Sequence, residues 1–123
     1  MNILLLIAGI LTSIATLIHG IAGELTTIHP LKKTDLQQVP KLELRAVWYM
    51  ITIHLFASAI MLFILAFSAS QNIMMGMFLA MQFLGYGLTV LILAIAKQVK
   101  VLQVPQWVLL FLIAGLTFWG TIR

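Results

Sequence analysis

The chain contains no cysteine and few charged residues, and both absences limit what it can be. Without cysteine it forms no disulfides and no thiolate metal sites, and it carries out no thiol redox chemistry. Charged residues make up 8% of the 123 positions, whereas soluble proteins carry about 25%. Hydrophobic residues make up 63%, and the mean hydropathy is +1.14. This composition predicts a single membrane domain, residues 1–123, with the lipid bilayer as its first partner.

The basic balance of the chain does not indicate nucleic-acid binding. The net charge is +4, but the sequence has no basic patch with interleaved aromatic residues, which a DNA or RNA reader needs. Lysine and arginine instead hold loops of membrane proteins on the cytoplasmic side. No nucleic-acid partner is therefore expected.

Four apolar segments reach the roughly 20 residues that a membrane-spanning helix needs. They cover residues 3–23, 46–67, 73–96 and 104–122. We therefore predict an all-α integral membrane bundle of four transmembrane helices, antiparallel between neighbours. A short uncharged polar turn separates the second and third segments, which predicts a tight hairpin. The first segment lacks the basic start of a signal peptide, so we expect a retained helix.

The positions of the charges predict the orientation. Six basic residues fall between segments one and two or three and four, and the opposite side carries only Arg123. The positive-inside rule places loops 24–45 and 97–103 in the cytoplasm and both termini outside. Within loop 24–45, Thr34-Asp35-Leu36-Gln37 has capping-box spacing and predicts a short surface helix. Trp48 and Trp107 lie near the cytoplasmic ends of their helices, as interfacial anchors do.

Two histidines within the predicted spans indicate a candidate polar site, because ionisable residues are costly in a bilayer. Counting 1.5 Å per residue from the charged positions, His19 lies about 7 Å and His54 about 13 Å from the cytoplasmic interface. Further polar residues fall in the same layer: Thr16, Tyr86 and Thr89. These side chains either cross-link the helices by hydrogen bonds or form a ligand or proton site, and the sequence leaves both readings open.

A cofactor site is an alternative use of the same residues, although none is predicted. His19 and His54 could supply the two axial ligands of a haem, or could bind a metal ion with Glu24 or His29. The spacing of His19, Glu24 and His29 scatters them around a helix, which is unfavourable for metal binding. No carboxylate lies within the spans to orient a histidine, so hydrolase chemistry is not expected and a non-enzymatic role is favoured.

Glu24 and Arg45 border the cytoplasmic mouth above the histidines. They close the first predicted helix and open the second, so we expect the two side chains to form an ion pair. The alternative is that they form a gate or a headgroup-binding site.

Three short motifs occur together in the first half of the chain: His19-Gly20-Ile21-Ala22-Gly23-Glu24, then His29-Pro30-Leu31, then Arg45-Ala46-Val47-Trp48. Together they resemble a pattern in small, uncharacterised bacterial inner-membrane proteins. The chain departs from it at Tyr49, where the pattern has histidine. The resemblance implies a four-helix inner-membrane protein with no established activity. Independently of this resemblance, we expect a non-enzymatic accessory subunit or a small oligomeric channel or transporter component, acting as a homo-oligomer or in a larger membrane complex.

Overall fold

The computed structural model describes residues 1–70 and 72–123, and this part of the chain is helical without strands. The four helices are α1 (Ile3–Lys32), α2 (Gln38–Phe67), α3 (Ile73–Ala96) and α4 (Gln106–Ile122). A single 3₁₀ turn, Val101–Gln103, precedes α4. The first three helices are long and apolar enough to cross a membrane, and α4 is a shorter apolar helix.

The predicted loop 24–45 is wrong, because helices occupy most of it. α1 continues to Lys32 and α2 already begins at Gln38, so only residues 33–37 connect them. The prediction ended each helix where charges begin, but charges mark the end of an apolar span and need not end the helix. The capping-box helix does not form either, and the Thr34 hydroxyl donates to the carbonyl of Leu31 at 2.8 Å.

The other predicted bounds agree better with the structure. The third segment coincides with α3, and the second ends with α2 at Phe67. The fourth was predicted to start at residue 104, but α4 starts at Gln106, after the 3₁₀ turn and Pro105.

α1 is not a uniform α-helix. It is α-helical over Ile3–Leu17, π-helical over Ile18–Ala22 and Glu24–Ile28, and ends in an α-helical turn at His29–Lys32. Pro30 lies just beyond the second π-helical segment. A proline inside a helix lacks an N–H donor and crowds the carbonyl of the preceding turn, and wider turns relieve this crowding. α1 therefore passes through Pro30 without ending.

Neighbouring helices run antiparallel, and three of the four interfaces are close. α1 packs against α2 and α4, and α3 packs against α4. Glycines permit these approaches, since a Cβ at Gly9 would lie 3.1 Å from Phe63, and one at Gly120 would lie 2.9 Å from Leu5. The backbones of α2 and α3 approach each other much less. We expected α2 and α3 to form a tight hairpin, but the interface between them is the most open of the four.

Asn2 joins three helices at the end where both termini lie. Its backbone N–H donates to Ala66 O at 2.7 Å, and its side chain donates to Gly120 O at 2.6 Å. The same side chain accepts from Leu5 N at 3.2 Å and caps α1. The start of α1 is therefore fixed to the ends of α2 and α4.

Candidate functional site

The polar residues predicted to share one layer form two separate clusters, one on each side of α2. Thr52 of α2 contacts His19 of α1, whereas His54 of α2 contacts Gln82 of α3. Thr52 and His54 are two positions apart, which corresponds to about 200° around a helix. His19 and His54 therefore face different interfaces.

The first cluster, which we call the His19 cluster, comprises His19, Trp48 and Thr52. The Nδ1 atom of His19 is hydrogen-bonded to Thr52 Oγ1 at 2.9 Å. The imidazole also stacks on the Trp48 indole, with ring centroids 4.0 Å apart and planes 14° apart. The hydrogen bond thus uses one edge of the imidazole, and the stack uses one of its faces. The residue as a whole is half-buried.

Two glycines of α1 make room for this cluster. A Cβ at Gly20 would lie 3.2 Å from Thr52 Cγ2, and a Cβ at Gly23 would overlap the Trp48 ring. The His-Gly-x-x-Gly sequence thus provides a smooth face on α1, against which Trp48 and Thr52 of α2 lie. Those two residues are four positions apart and so share one face of α2.

Glu24 does not form the expected ion pair with Arg45. Its Oε1 atom lies 3.2 Å from Lys32 Nζ, and its Oε2 atom accepts a hydrogen bond from Tyr49 OH at 2.9 Å. The physical reason is that α1 continues beyond Glu24 and brings Lys32 within reach. The expectation of a Glu24–Arg45 pair is therefore wrong, and Glu24 links α1 to α2 through Tyr49.

The second cluster, which we call the His54 cluster, lies in the open interface between α2 and α3. The Gln82 side-chain amide donates to His54 Nε2. Tyr86 meets the His54 ring edge-on, with centroids 6.1 Å apart and an interplanar angle of 79°. Gln82 Oε1 is buried without a hydrogen-bond partner among the described residues. This cluster is the main polar contact that the structure places between α2 and α3.

Two residues of the predicted site join neither cluster. The hydroxyl of Thr16 donates to Thr12 O and that of Thr89 to Gly85 O, each at 2.8 Å. Both bonds stay within one helix, and Thr89 is exposed. Sequence reasoning missed Thr52 and Trp48 as partners of His19, although their spacing opposite Gly20 and Gly23 was an available signal.

A shared cofactor site for the two histidines is not assembled in the described part of the chain. His19 and His54 face different interfaces, and each is already hydrogen-bonded. Nowhere in residues 1–70 and 72–123 do three histidine or acidic side chains converge in an arrangement suited to a metal ion. His29 is exposed in the last turn of α1.

Cavities lie at both ends of the molecule. One of about 340 Å³ lies beside the termini, and its lining includes Asn2, Ser68 and Arg123. A second, of about 260 Å³, lies at the opposite end and is lined by Lys32, Gln38, Lys41, Leu42 and Arg45. Arg45 of the predicted mouth thus lines this cavity, whereas Glu24 contacts it only through Lys32.

The described residues form an all-helical protein in which three helices are long and apolar enough to cross a membrane. Comparisons with protein families, curated proteins and solved structures find no match for this chain.

Proposed function

We propose that the chain is a multi-pass protein of a bacterial inner membrane and that all four helices cross the bilayer. The observation that carries this proposal is the outer surface, where large apolar side chains are exposed, as at Ile53 (68%), Phe78 (62%) and Leu112 (50%). α4 has 17 residues and is about 26 Å long, close to the roughly 30 Å of a hydrocarbon core. The preceding 3₁₀ turn adds length at its charged end.

The proposed orientation places residues 33–37 and 97–103 in the cytoplasm and both termini outside. Six basic residues lie at the cytoplasmic end of the helices in this orientation: Lys32, Lys33, Lys41, Arg45, Lys97 and Lys100. The termini end carries Arg123 as its only basic side chain. This asymmetry is what the positive-inside rule describes.

The cysteine-free sequence allows a direct test of this orientation. Thr34→Cys, Leu102→Cys and Ala69→Cys each add one thiol at an exposed position. A membrane-impermeant maleimide applied to intact spheroplasts should label Ala69→Cys alone, and all three variants after permeabilisation. Labelling of Thr34→Cys in intact spheroplasts would show that the protein has the opposite orientation. Different labelling of Thr34→Cys and Leu102→Cys would contradict the four-span arrangement.

We further propose a non-enzymatic role, as an accessory subunit or as one component of a small oligomeric channel or transporter. The interior of one copy is filled, since Leu62, Phe83 and Ile113 have no exposed surface. A solute pathway through the centre of one copy would have to displace these side chains. Transport would therefore pass between copies or along a partner protein.

Cross-linking in native membranes, followed by mass spectrometry, tests this role. Cross-linked species should contain two or more copies of the chain, or one copy with another membrane protein. A chain that stays monomeric and free of partners at native abundance would contradict both versions of the proposal.

A further inference from the structure

The 260 Å³ cavity at the basic end is built from the junction between α1 and α2. Four of the lining residues share one face of the first two turns of α2, because they are spaced at i, i+3, i+4 and i+7: Gln38, Lys41, Leu42 and Arg45. Lys32, at the end of α1, completes the lining. The end of α1 and the start of α2 thus line this cavity together.

The charges around the cavity are unbalanced. Three cations line it, and among the described residues only Lys32 forms an ion pair, with Glu24. Lys41 Nζ donates to the carbonyl of Lys32 at 3.1 Å, which holds the ammonium group beside the cavity without neutralising it. Counting Glu24, two positive charges remain in excess.

Arg45 is the least compensated of these three cations. Its Nε atom is buried and has no hydrogen-bond acceptor among the described residues. A buried donor without an acceptor is costly, and a guanidinium binds phosphate through paired N–H donors. The Arg45 side chain also lines the cavity, and no ion pair neutralises it among the described residues, so an anion in the cavity would lie beside an uncompensated cation.

The start of α2 adds favourable electrostatics. No side chain caps the N-terminus of this 30-residue helix in the described structure, and its first turn contains no acidic residue. Pro40 has no N–H, and Lys41 N donates to Gln37 O. The N–H groups of Gln38 and Val39 and the helix dipole are therefore what favour negative charge at this end. Gln38 also lines the cavity and offers an amide donor.

We propose that this cavity binds a phosphate group through Lys32, Lys41 and Arg45, with the N-terminus of α2 facing the anion. The phosphate belongs either to the headgroup of an anionic lipid or to a soluble phosphate compound. Both present the same tetrahedral, anionic oxygens to the three cations. The site lies at the end where the proposed orientation places the cytoplasmic leaflet, but its chemistry does not depend on that orientation.

The experiment uses the full chain in a neutral detergent, with three probes added separately: inorganic phosphate, phosphatidylglycerol and phosphatidylcholine. Thermal unfolding gives affinity, because a ligand that binds only the folded state raises Tm with concentration. Native mass spectrometry gives the number of bound lipids. The test variant is Lys41→Gln/Arg45→Gln. The matched control is Lys97→Gln/Lys100→Gln, which removes the same charge at the same end but outside the cavity.

We expect one phosphatidylglycerol or one phosphate per chain, bound about tenfold more weakly by the cavity variant and unchanged by the control. Binding of phosphatidylglycerol alone identifies a lipid headgroup, and binding of inorganic phosphate alone identifies a soluble ligand. Equal weakening in both variants would overturn the proposal, since it would show general charge attraction. Binding of neither inorganic phosphate nor phosphatidylglycerol, or equal binding of phosphatidylcholine and phosphatidylglycerol, would also overturn it.

Gln38→Glu keeps the test decisive if the double variant does not fold. It places a carboxylate in the cavity at the first position of α2, where negative charge stabilises a helix. Probe binding should weaken while Tm without ligand does not fall. Unchanged affinity in this variant would overturn the proposal.

Discussion

The imidazole of His19 lies almost parallel to the indole of Trp48, and this stack joins α1 to α2 where α1 has become π-helical. With the hydrogen bond to Thr52, it gives His19 two contacts to the neighbouring helix. A histidine so engaged acts as a cross-link between helices, which was one of the two readings that the sequence left open. The same contacts make its contribution to stability measurable.

His19→Ala should destabilise the protein by more than Thr52→Val does, because it removes the ring stack as well as the hydrogen bond. Hydrogen bonds between membrane helices contribute about 0.6 kcal/mol, and an aromatic pair adds about 0.5–1.5 kcal/mol. A double-mutant cycle, measured by unfolding in mixed micelles, should give a coupling of about 0.6 kcal/mol. Strictly additive effects, or an unchanged stability in His19→Ala, would contradict the cross-link.

Gly23→Ala should loosen the contact between α1 and α2, because the added methyl group overlaps the Trp48 ring. Overpacking of this kind costs about 1–3 kcal/mol. Gly85→Ala is the matched control, since a Cβ there meets nothing within 4 Å. The control should be neutral or slightly stabilising in the same unfolding assay. Equal effects of the two substitutions would mean that Gly23 does not set the approach to Trp48.

The α3–α4 interface should be equally sensitive at Gly76. A Cβ at this position would overlap the side chain of Thr121, which is buried. Gly76→Ala should therefore lower the free energy of unfolding by about 1–3 kcal/mol. Gly115→Ala on α4, where a Cβ meets nothing within 4 Å, should not. A stable Gly76→Ala variant would show that Thr121 can move aside at little cost.

Replacing Gln82 by leucine should destabilise the open interface between α2 and α3, because it leaves His54 without its hydrogen-bond donor. The expected loss is about 0.6 kcal/mol. Adding His54→Leu should recover part of this loss, because replacing both polar partners by apolar groups leaves no polar atom unpaired. A double variant less stable than either single variant would contradict this pairing.

The bounds of α3 could be predicted because its apolar run and its helix end together. Asn72 accepts a hydrogen bond from Met75 N and caps the start, and the polar residue Lys97 follows the end. In α1 and α2 the helix extends beyond the apolar run, since both helices continue into the charged region. Hydropathy detects only where the apolar run ends. The predicted end of α1, at residue 23, therefore falls well before Lys32, and the predicted start of α2, at residue 46, falls well after Gln38.

The partners of the histidines could not be predicted from depth alone. Depth along the chain was the basis for grouping His19 with His54, but α1 and α2 extend further than expected, so His54 lies past the middle of α2 on the side of Phe67. Contact also depends on how each helix is rotated about its axis. The pairing of His19 with Thr52 follows from the approach of α1 and α2 at Gly20 and Gly23, which no single-helix pattern contains. A glycine pair opposite a tryptophan is the signal that would have indicated it.

The π-helical turns of α1 have a consequence for changes in chain length. A wide turn accommodates one more residue than an α-helical turn, so it behaves as an insertion that leaves both flanking segments in register. Deleting one residue within Ile18–Ile28 could thus be absorbed by a return to α-helix. The same deletion within Ile3–Leu17 would rotate one part of α1 by about 100° relative to the other and move Leu5 or Thr12 out of the interior. Related chains that differ by one residue in the first helix should therefore differ in the wide-turn region.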